Sequence, residues 1–483
     1  MQARTEEDNR MTQLALPDEV EVVNVGLPMF ADAIRDQGRP VQHVDWRIPA
    51  GGDLAAVAAL GRLYGDHAAA IDEANTEVVR RLNEGVPQLV GISTVGEAVP
   101  GYEGRMILHS GPTLPYLDHC DPLRRSMRAA VVAEGWAADV EEANGLLARG
   151  EIVLDAANHH DAVVPMASAV GPSQPVFVVE NREGGTRAFS SINQGPGEVA
   201  WFGRETDAAI ARLRFLAETG GPAIARILEA AGPLDILAVA AQGITMGDDL
   251  HMRTQAATNL LTRTWLPHIA ALPEAARVPF AEYLGGNHLF FLNLAMAAAK
   301  SLQLWAQQVE GSSIVTTMSR NGTTFGIKLA GSPDWHITEA PPVGEAMYYS
   351  GQGPETSAKD IGDSAVLELT GMGGPAAGGS PAVAAFLGGT MADAAAATEG
   401  FQAICAGKST RFTLPPMGFI GTPLGVDVRK VVELGITPKV TTGILHVSDG
   451  TGQVGAGVAA APVECFVSAL QDLDRRLSGA DRD

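Results

Sequence analysis

Cysteine is scarce: Cys120, Cys405 and Cys465 are the only three in 483 residues. Their number is odd and their spacing wide, so neither a disulfide framework nor a cysteine-based metal motif is legible. Basic residues are also in deficit, 34 against 56 acidic, for a formal charge of −22. Nucleic-acid binding draws most of its affinity from phosphate attraction, so this charge excludes a broad nucleic-acid surface. It leaves room for a local cationic pocket around a small anion. Aromatics are 5% of the chain, too few for an aromatic-rich recognition surface. No uncharged apolar run reaches the roughly 18 residues of a membrane span. Residues 1–10 are polar, without the apolar stretch of a signal peptide. A soluble, cytoplasmic protein that binds neither nucleic acid nor membrane is expected. G-x-G-x-x-G, the P-loop, G-x-S-x-G and H-E-x-x-H are missing too, which removes the motif-based cases for dinucleotide, triphosphate, serine-hydrolase and zinc-peptidase chemistry.

What is present points to an α/β fold. The length implies two or three domains, and 55 glycines suit tight helix–sheet packing and backbone-lined sites. After a lead-in at 1–17, residues 20–26 read as a strand, 28–37 as a helix and 41–46 as a strand. This βαβ unit predicts an N-terminal Rossmann-like domain over 18–150, with N–H groups near Asn24 and Gly26 open to a small anion. A β-rich segment at 151–205 is expected to join the C-terminal domain. Residues 206–310 have helical spacing and form a helical middle region. An α/β domain follows at 311–470, with a tail at 471–483. The Asn321-Gly322 pair closes a candidate hairpin.

Polar residues gather where these elements end. Asp248, Asp249, His251 and Arg253 lie within six residues, between apolar stretches. They suit acid–base work, grip on a carboxylate or phosphate, or an ion-pair network capping a helix. His159, His160 and Asp161 would have to complete a metal site, and no standard metal spacing is present. His159-His160 includes a candidate general base, although adjacent rings in an extended segment face opposite ways. Arg320 stands at a strand end beside Asn321, where a guanidinium can fork onto an oxyanion or simply stabilise the turn. Asp360 and Asp363 flank Gly362 and suit either Mg²⁺ or capping. Glu180, Asn181, Asn193, Gln242 and Asn287 complete the polar set. The reading takes His160, Asp248 and His251 as catalytic. It takes Asn24, Gly26, His159, Glu180, Asn181, Asn193, Gln242, Arg253, Asn287, Arg320, Asn321, Asp360 and Asp363 as contacts for a small anionic substrate. No residue is assigned to a metal, a divalent ion stays open, and no cofactor is indicated. Lys408-Ser409-Thr410-Arg411 invites comparison with a phosphate-binding Ser-Thr-x-Arg motif, but it lacks that motif's helix context and is taken as coincidence.

Together these segments resemble the YlbE-like family. The matching words include Val23-Asn24-Val25-Gly26-Leu27, Leu108-His109-Ser110-Gly111-Pro112, His159-His160, Val179-Glu180-Asn181 and Met246-Gly247-Asp248-Asp249. Phe290-Phe291-Leu292-Asn293-Leu294, Arg320-Asn321-Gly322, Asp360-Ile361-Gly362-Asp363-Ser364 and Thr442-Gly443-Ile444 continue the series over roughly residues 20–470. Some members of that family are assigned as a subunit of oxamate carbamoyltransferase in allantoin breakdown, beside an FdrA-like subunit related to acyl-CoA synthetases. The resemblance implies carbamoyl transfer between carbamoyl phosphate and oxamate, with oxalurate as the other organic species, inside a homo- or hetero-oligomer. A self-sufficient amide or ureide hydrolase and a non-catalytic scaffold subunit are the alternatives. The chain departs from the family pattern at 249–254, at Ala157, where the family has cysteine, and at Gln194, where it has glutamate. Those departures suit a divergent branch with a different ureido or amide substrate.

Overall fold

Alternating half-buried and exposed residues at Val22–Val25 and Val41–Val44 pair as a parallel two-stranded sheet, Val22 opposite Val41 and Val25 opposite Val44. Helix Pro28–Asp36 makes the crossover, with proline in its first turn, where a missing N–H costs nothing. The computed structural model describes residues 21–479 apart from 45, 47, 386 and 388, so the expected lead-in at 1–17 lies outside it.

The βαβ unit stops at two strands. The next strand, Pro87–Thr94, runs antiparallel to Pro175–Asn181 in a five-stranded sheet, and Met106–His109 joins a third sheet with Val153–Ala156 and Ala169–Val170. The α/β class therefore holds, and among the described residues up to 150 the parallel N-terminal sheet has two strands. A parallel sheet grows only by further crossovers returning to its edge, and none returns here. Val23, Val25, Leu27 and Phe30 stay exposed on the small unit as a result.

The helical middle region is as the spacing predicts. Asp207–Phe215, Gly221–Ala231, Gln255–Ala270, Glu274–Gly285 and Phe290–Ala306 match expected helices, and Ile236–Thr245 adds one more. Every residue from 290 to 303 is buried. A helix that is apolar nearly all round belongs in a core, and this one lies across Pro175–Asn181 and Thr186–Ser191 of the five-stranded sheet. The Phe290 ring meets Phe177 edge-on, centroids 5.9 Å apart. Among the described residues, no single helix is long and apolar enough to cross a membrane.

Beyond the helices, Val315–Asn321 and Thr324–Leu329 form the expected hairpin around Asn321-Gly322, flanked by His336–Glu339 and Ile361–Gly362. Glu345–Tyr348, Gln453–Ala460 and Lys439–Leu445 make a separate three-stranded sheet. The cores do not follow chain order. One apolar cluster joins residues of helix Leu54–Tyr64 to residues between 315 and 473, and Arg62 reaches Asp474 at 2.5 Å across the same contact. Helix Met391–Ile404 was not foreseen from periodicity. It starts at a capping box in which Thr390 and Asp393 satisfy each other's backbone N–H groups.

Candidate functional site

A cleft of about 630 Å³ opens where three distant stretches meet. The turn around Pro196 and Gly197 with Trp201 and Phe202 forms one wall. Asn287, His288 and Leu289, just before the buried helix, form a second. Met347, Tyr348 and Gln453 of the three-stranded sheet close the third side. The floor narrows to a throat of about 40 Å³ that shares Trp201, Phe202, Met252, Leu289 and Gln453 with the cleft and reaches His251.

The sequence delivers His251 through a tight reversal. Helix Ile236–Thr245 ends, Gly247 takes a φ of +98°, and Leu250 a φ of +67°. A β-carbon disfavours that region, so the turn needs outside support at Leu250. The Asp249 carboxylate gives it, accepting from the backbone N of Arg253 at 2.7 Å and of His251 and Met252 at 3.2 Å each. Asp248 points elsewhere. It accepts from Ala256 N at 3.1 Å and Ala257 N at 2.8 Å, anchoring the first turn of helix Gln255–Ala270, with Arg253 Nε 3.3 Å away. Burial pushes the Asp248 carboxyl up to about 6. The catalytic reading of Asp248 is corrected: its oxygens are committed to a helix terminus, the capping alternative open from sequence, and Arg253 is its ion partner.

At the throat, His251 Nδ1 lies 2.7 Å from Oε1 of Glu368, and both side chains are buried. The Gly374 N–H approaches the same oxygen at 3.4 Å, while Glu368 Oε2 has no hydrogen-bond partner among the described residues. A carboxylate on Nδ1 keeps the ring proton there and leaves Nε2 free to exchange a proton with whatever occupies the throat. The cleft wall also carries Arg204. Its nearest carboxylate oxygen, on Glu198, is 3.7 Å away, and its buried Nε lacks a partner among the described residues. His251 thus lines the throat and the under-used guanidinium the adjoining cleft, two spaces that share five lining residues. Sequence reasoning missed Glu368 and Arg204. The available signal for Glu368 was a lone acid between Leu367 and Leu369 in an apolar, glycine-rich stretch.

The polar side chains around the cleft mostly hold its walls. Asn193 donates to Asn293 Oδ1 at 2.8 Å and accepts from Gly195 N at 2.9 Å. Its carbonyl takes hydrogen bonds from Tyr283 and from Asn287. Asn287 lines the cleft, the one expected substrate contact that does, while its Oδ1 accepts from Leu289 N at 3.2 Å.

Arg320 and its neighbours form a knot behind the throat. Its Nε and Nη2 fork onto Asp360 at 2.7 and 2.9 Å, and Nη1 donates to the Gly362 carbonyl. All of these atoms are buried. Asp363 accepts from Gly111 N and Val164 N at 3.0 Å each and from the Ser319 hydroxyl. Asn321 accepts from Thr323 N and Thr324 N and donates to the Pro112 carbonyl. Gly111, at φ +81°, passes so close that a β-carbon there would fall 2.4 Å from that of Asn321. Arg320, Asn321, Asp360 and Asp363 are thus corrected from substrate contacts to supports, because their polar atoms are spent on backbone and on each other. Pro165, Met166 and Ser364, which line the throat, adjoin this knot.

His159 and His160 share Asp155. Nδ1 of His159 lies 2.8 Å from one oxygen and Nε2 of His160 3.0 Å from the other. Trp335 Nε1 donates to His159 Nε2, and His160 Nδ1 meets the Pro100 carbonyl at 2.7 Å. Burial opposes ionisation of Asp155, yet hydrogen bonds from His159, Thr113 and His160 hold its carboxyl below the usual carboxylate range. Neither ring lines the cleft or the throat, whereas His251 lines the throat. Glu180 pairs with Arg187 across its hairpin, Asn181 accepts from Val86 N at 2.8 Å, and Gln242 is exposed on its helix. Asn24 donates to the Leu27 carbonyl at 3.0 Å, and Gly26 at φ +113° ends its strand in the N-terminal unit. None of these five lines the cleft or throat. Among the described residues, no group of three or more His, Cys, Asp or Glu side chains is placed to hold a metal ion.

Comparison with known proteins agrees with the sequence resemblance. The family model described as oxamate carbamoyltransferase subunit AllG matches residues 152–364. The chain is 35% identical to oxamate carbamoyltransferase subunit AllG of Escherichia coli strain K12 over 408 residues, 83% of this chain and 97% of that protein. It is 33% identical to the uncharacterized protein YahG of the same strain over 465 residues, 95% of this chain and 98% of that one. The crystal structure of a conserved protein of unknown function from Enterococcus faecalis V583 superposes with a TM-score of 0.81 at 32% identity, covering 84% of this chain and 97% of that one. At this identity and coverage, the chain belongs to the family of the oxamate carbamoyltransferase subunit AllG.

Proposed function

We propose that the chain is the subunit of a carbamoyltransferase-type assembly that holds a small carboxylated amide or ureide, of the oxamate and oxalurate kind, in the His251 cleft. The observation that carries the reading is the 2.7 Å contact between His251 Nδ1 and Glu368 at the base of that cleft, in a chain of this family. Carbamoyl transfer needs a proton taken from the amide nitrogen as that nitrogen attacks the carbamoyl carbon and phosphate departs. His251 Nε2 suits the task, with Glu368 stabilising the imidazolium that forms. Arg204 supplies a guanidinium for the carboxylate or phosphate, and Asn287 an amide on the opposite wall. Carbamoyl phosphate is the co-substrate in this reading, and an FdrA-like subunit the partner.

The test is reconstitution with a purified FdrA-like partner, carbamoyl phosphate and a panel of oxamate-like acids, with ureido product measured by chromatography. Turnover that needs this chain and collapses in His251→Asn supports the reading. Turnover unaffected by His251→Asn would leave the chain as scaffold and sink the assignment.

A further inference from the structure

A second pocket, of about 410 Å³, lies away from the His251 cleft and shares no lining residue with it. Its inner wall is helix Phe290–Ala306, which places Lys300 and Gln303 three residues apart and so on one face. The opposite wall is the hairpin, which brings Lys328 and Thr317. A charged side chain in an otherwise uncharged buried helix is costly unless it is paired.

Lys300 is 4% exposed, and its ammonium donates to Asn158 Oδ1 at 2.9 Å, the one protein acceptor it has among the described residues. An ammonium carries three donors, so two remain. Asn158 is itself held by Ser319, from the knot behind the throat. Gln303 is 1% exposed, and neither its amide nitrogen nor its oxygen has a partner among the described residues. Leaving a buried donor or acceptor unpaired is costly, and Gln303 carries one of each. Lys328 stands over the Trp335 ring, 4.6 Å from its centroid, as a second cation. Asp161, at φ +54°, and Glu310 are the acids of the lining, against the two lysines. Burial pulls the Lys300 ammonium down to about 8, with Asp161 and Asp363 opposing that shift and Lys328 adding to it.

We propose that this pocket is a second small-molecule site, holding an oxoanion on Lys300 and a carboxamide or ureido edge on Gln303. The cation and the two spare N–H groups of Lys300 meet the anion. The unpaired donor and acceptor of one carboxamide match the acceptor and donor of another, a planar paired edge that neither a carboxylate nor hydrogen phosphate presents. The assignment stands on the pocket's own geometry and survives failure of the carbamoyltransferase reading, because its test measures occupancy and not turnover.

The full-length protein is treated with acetic anhydride, and acetylation of Lys300 is followed by peptide mass spectrometry. Malonamate carries both a carboxylate and a carboxamide; malonate carries carboxylates alone, and inorganic phosphate an oxoanion with a hydroxyl but no carboxamide edge. The expected result is that malonamate slows Lys300 acetylation at least tenfold relative to exposed lysines, and more than malonate or phosphate does. Gln303→Met, similar in volume and apolar, is expected to abolish the advantage of malonamate while leaving the far-ultraviolet circular dichroism unchanged. Lys328→Met serves as a second variant, expected to weaken protection by all three probes. Equal protection by phosphate and malonamate would overturn the carboxamide half of the proposal. Lys300 acetylation indifferent to every probe would overturn the site.

Discussion

Nδ1 of His251 and Oε1 of Glu368 stand 2.7 Å apart although 117 residues separate them in sequence. Each comes from a glycine-bearing reversal, and the Gly373 N–H donates to the Asp249 carbonyl at 2.7 Å, tying the two reversals together. The pair is thus fixed by backbone and does not depend on a flexible side chain finding its partner. Glu368→Gln keeps the shape and removes the charge that stabilises a protonated ring. Carbamoyl transfer by the reconstituted complex is predicted to fall by about 10²–10⁴-fold in kcat, with KM little changed. Thermal unfolding should barely shift. A loss confined to KM would show that Glu368 only shapes the cleft.

Asp248 carries a pH signature. Its carboxyl is pushed up to about 6 by burial, against about 3.9 in an unfolded chain. Between those values the native state binds more protons than the unfolded state. Stability is therefore full below about pH 4 and declines as pH rises through about 6. Burial raises Asp249 and Asp363 too, so they contribute in the same direction. Asp248→Asn can still accept from one of the two helix N–H groups but has no charge to desolvate. Its cost is predicted to be about 1 kcal/mol near pH 4–5 and to shrink or reverse by pH 8. Urea unfolding of both proteins across pH 4–8 checks this. Parallel curves would mean the carboxyl titrates normally.

Local patterns in the sequence carried local structure well. Helical periodicity located the segments from Asp207 to Ala306, and Asn321-Gly322 marked its hairpin. The capping box at Thr390 and Asp393 is a local signal of the same kind, but the alanine-rich segment behind it has little amphipathic contrast to mark a helix. The sheets were less legible, since strand partners such as Pro87–Thr94 and Pro175–Asn181 lie far apart in the chain and their direction is set by what else packs there. The site was legible in half. His251 and Asn287 belonged to polar strings and could be picked out. Glu368, Arg204 and Lys300 are single charges in apolar or ordinary surroundings, and only the fold shows what they face. Conversely, the densest polar words, around Arg320 and Asp363, proved to be where backbone from three stretches is stitched together. Buried polar atoms must be paired, so a fold crossing of this kind needs charged residues as surely as a site does.

That stitching makes the last prediction the strictest. Arg320 and Asp360 are fully buried and form a forked pair, with Nε and Nη2 each on one carboxylate oxygen. Asp360→Asn leaves the guanidinium buried without the carboxylate it forks onto, and the expected loss is about 3–5 kcal/mol in urea unfolding. Arg320→Lys keeps the charge but loses the fork, so it should cost less than Asp360→Asn while still destabilising. In Asp360→Asn the throat residues beside the knot, Met166 and Ser364, should loosen, so activity is expected to fall together with stability and to recover partly on cooling. If Asp360→Asn instead abolished turnover at unchanged stability, Arg320 would have to be returned to the substrate and its burial explained some other way.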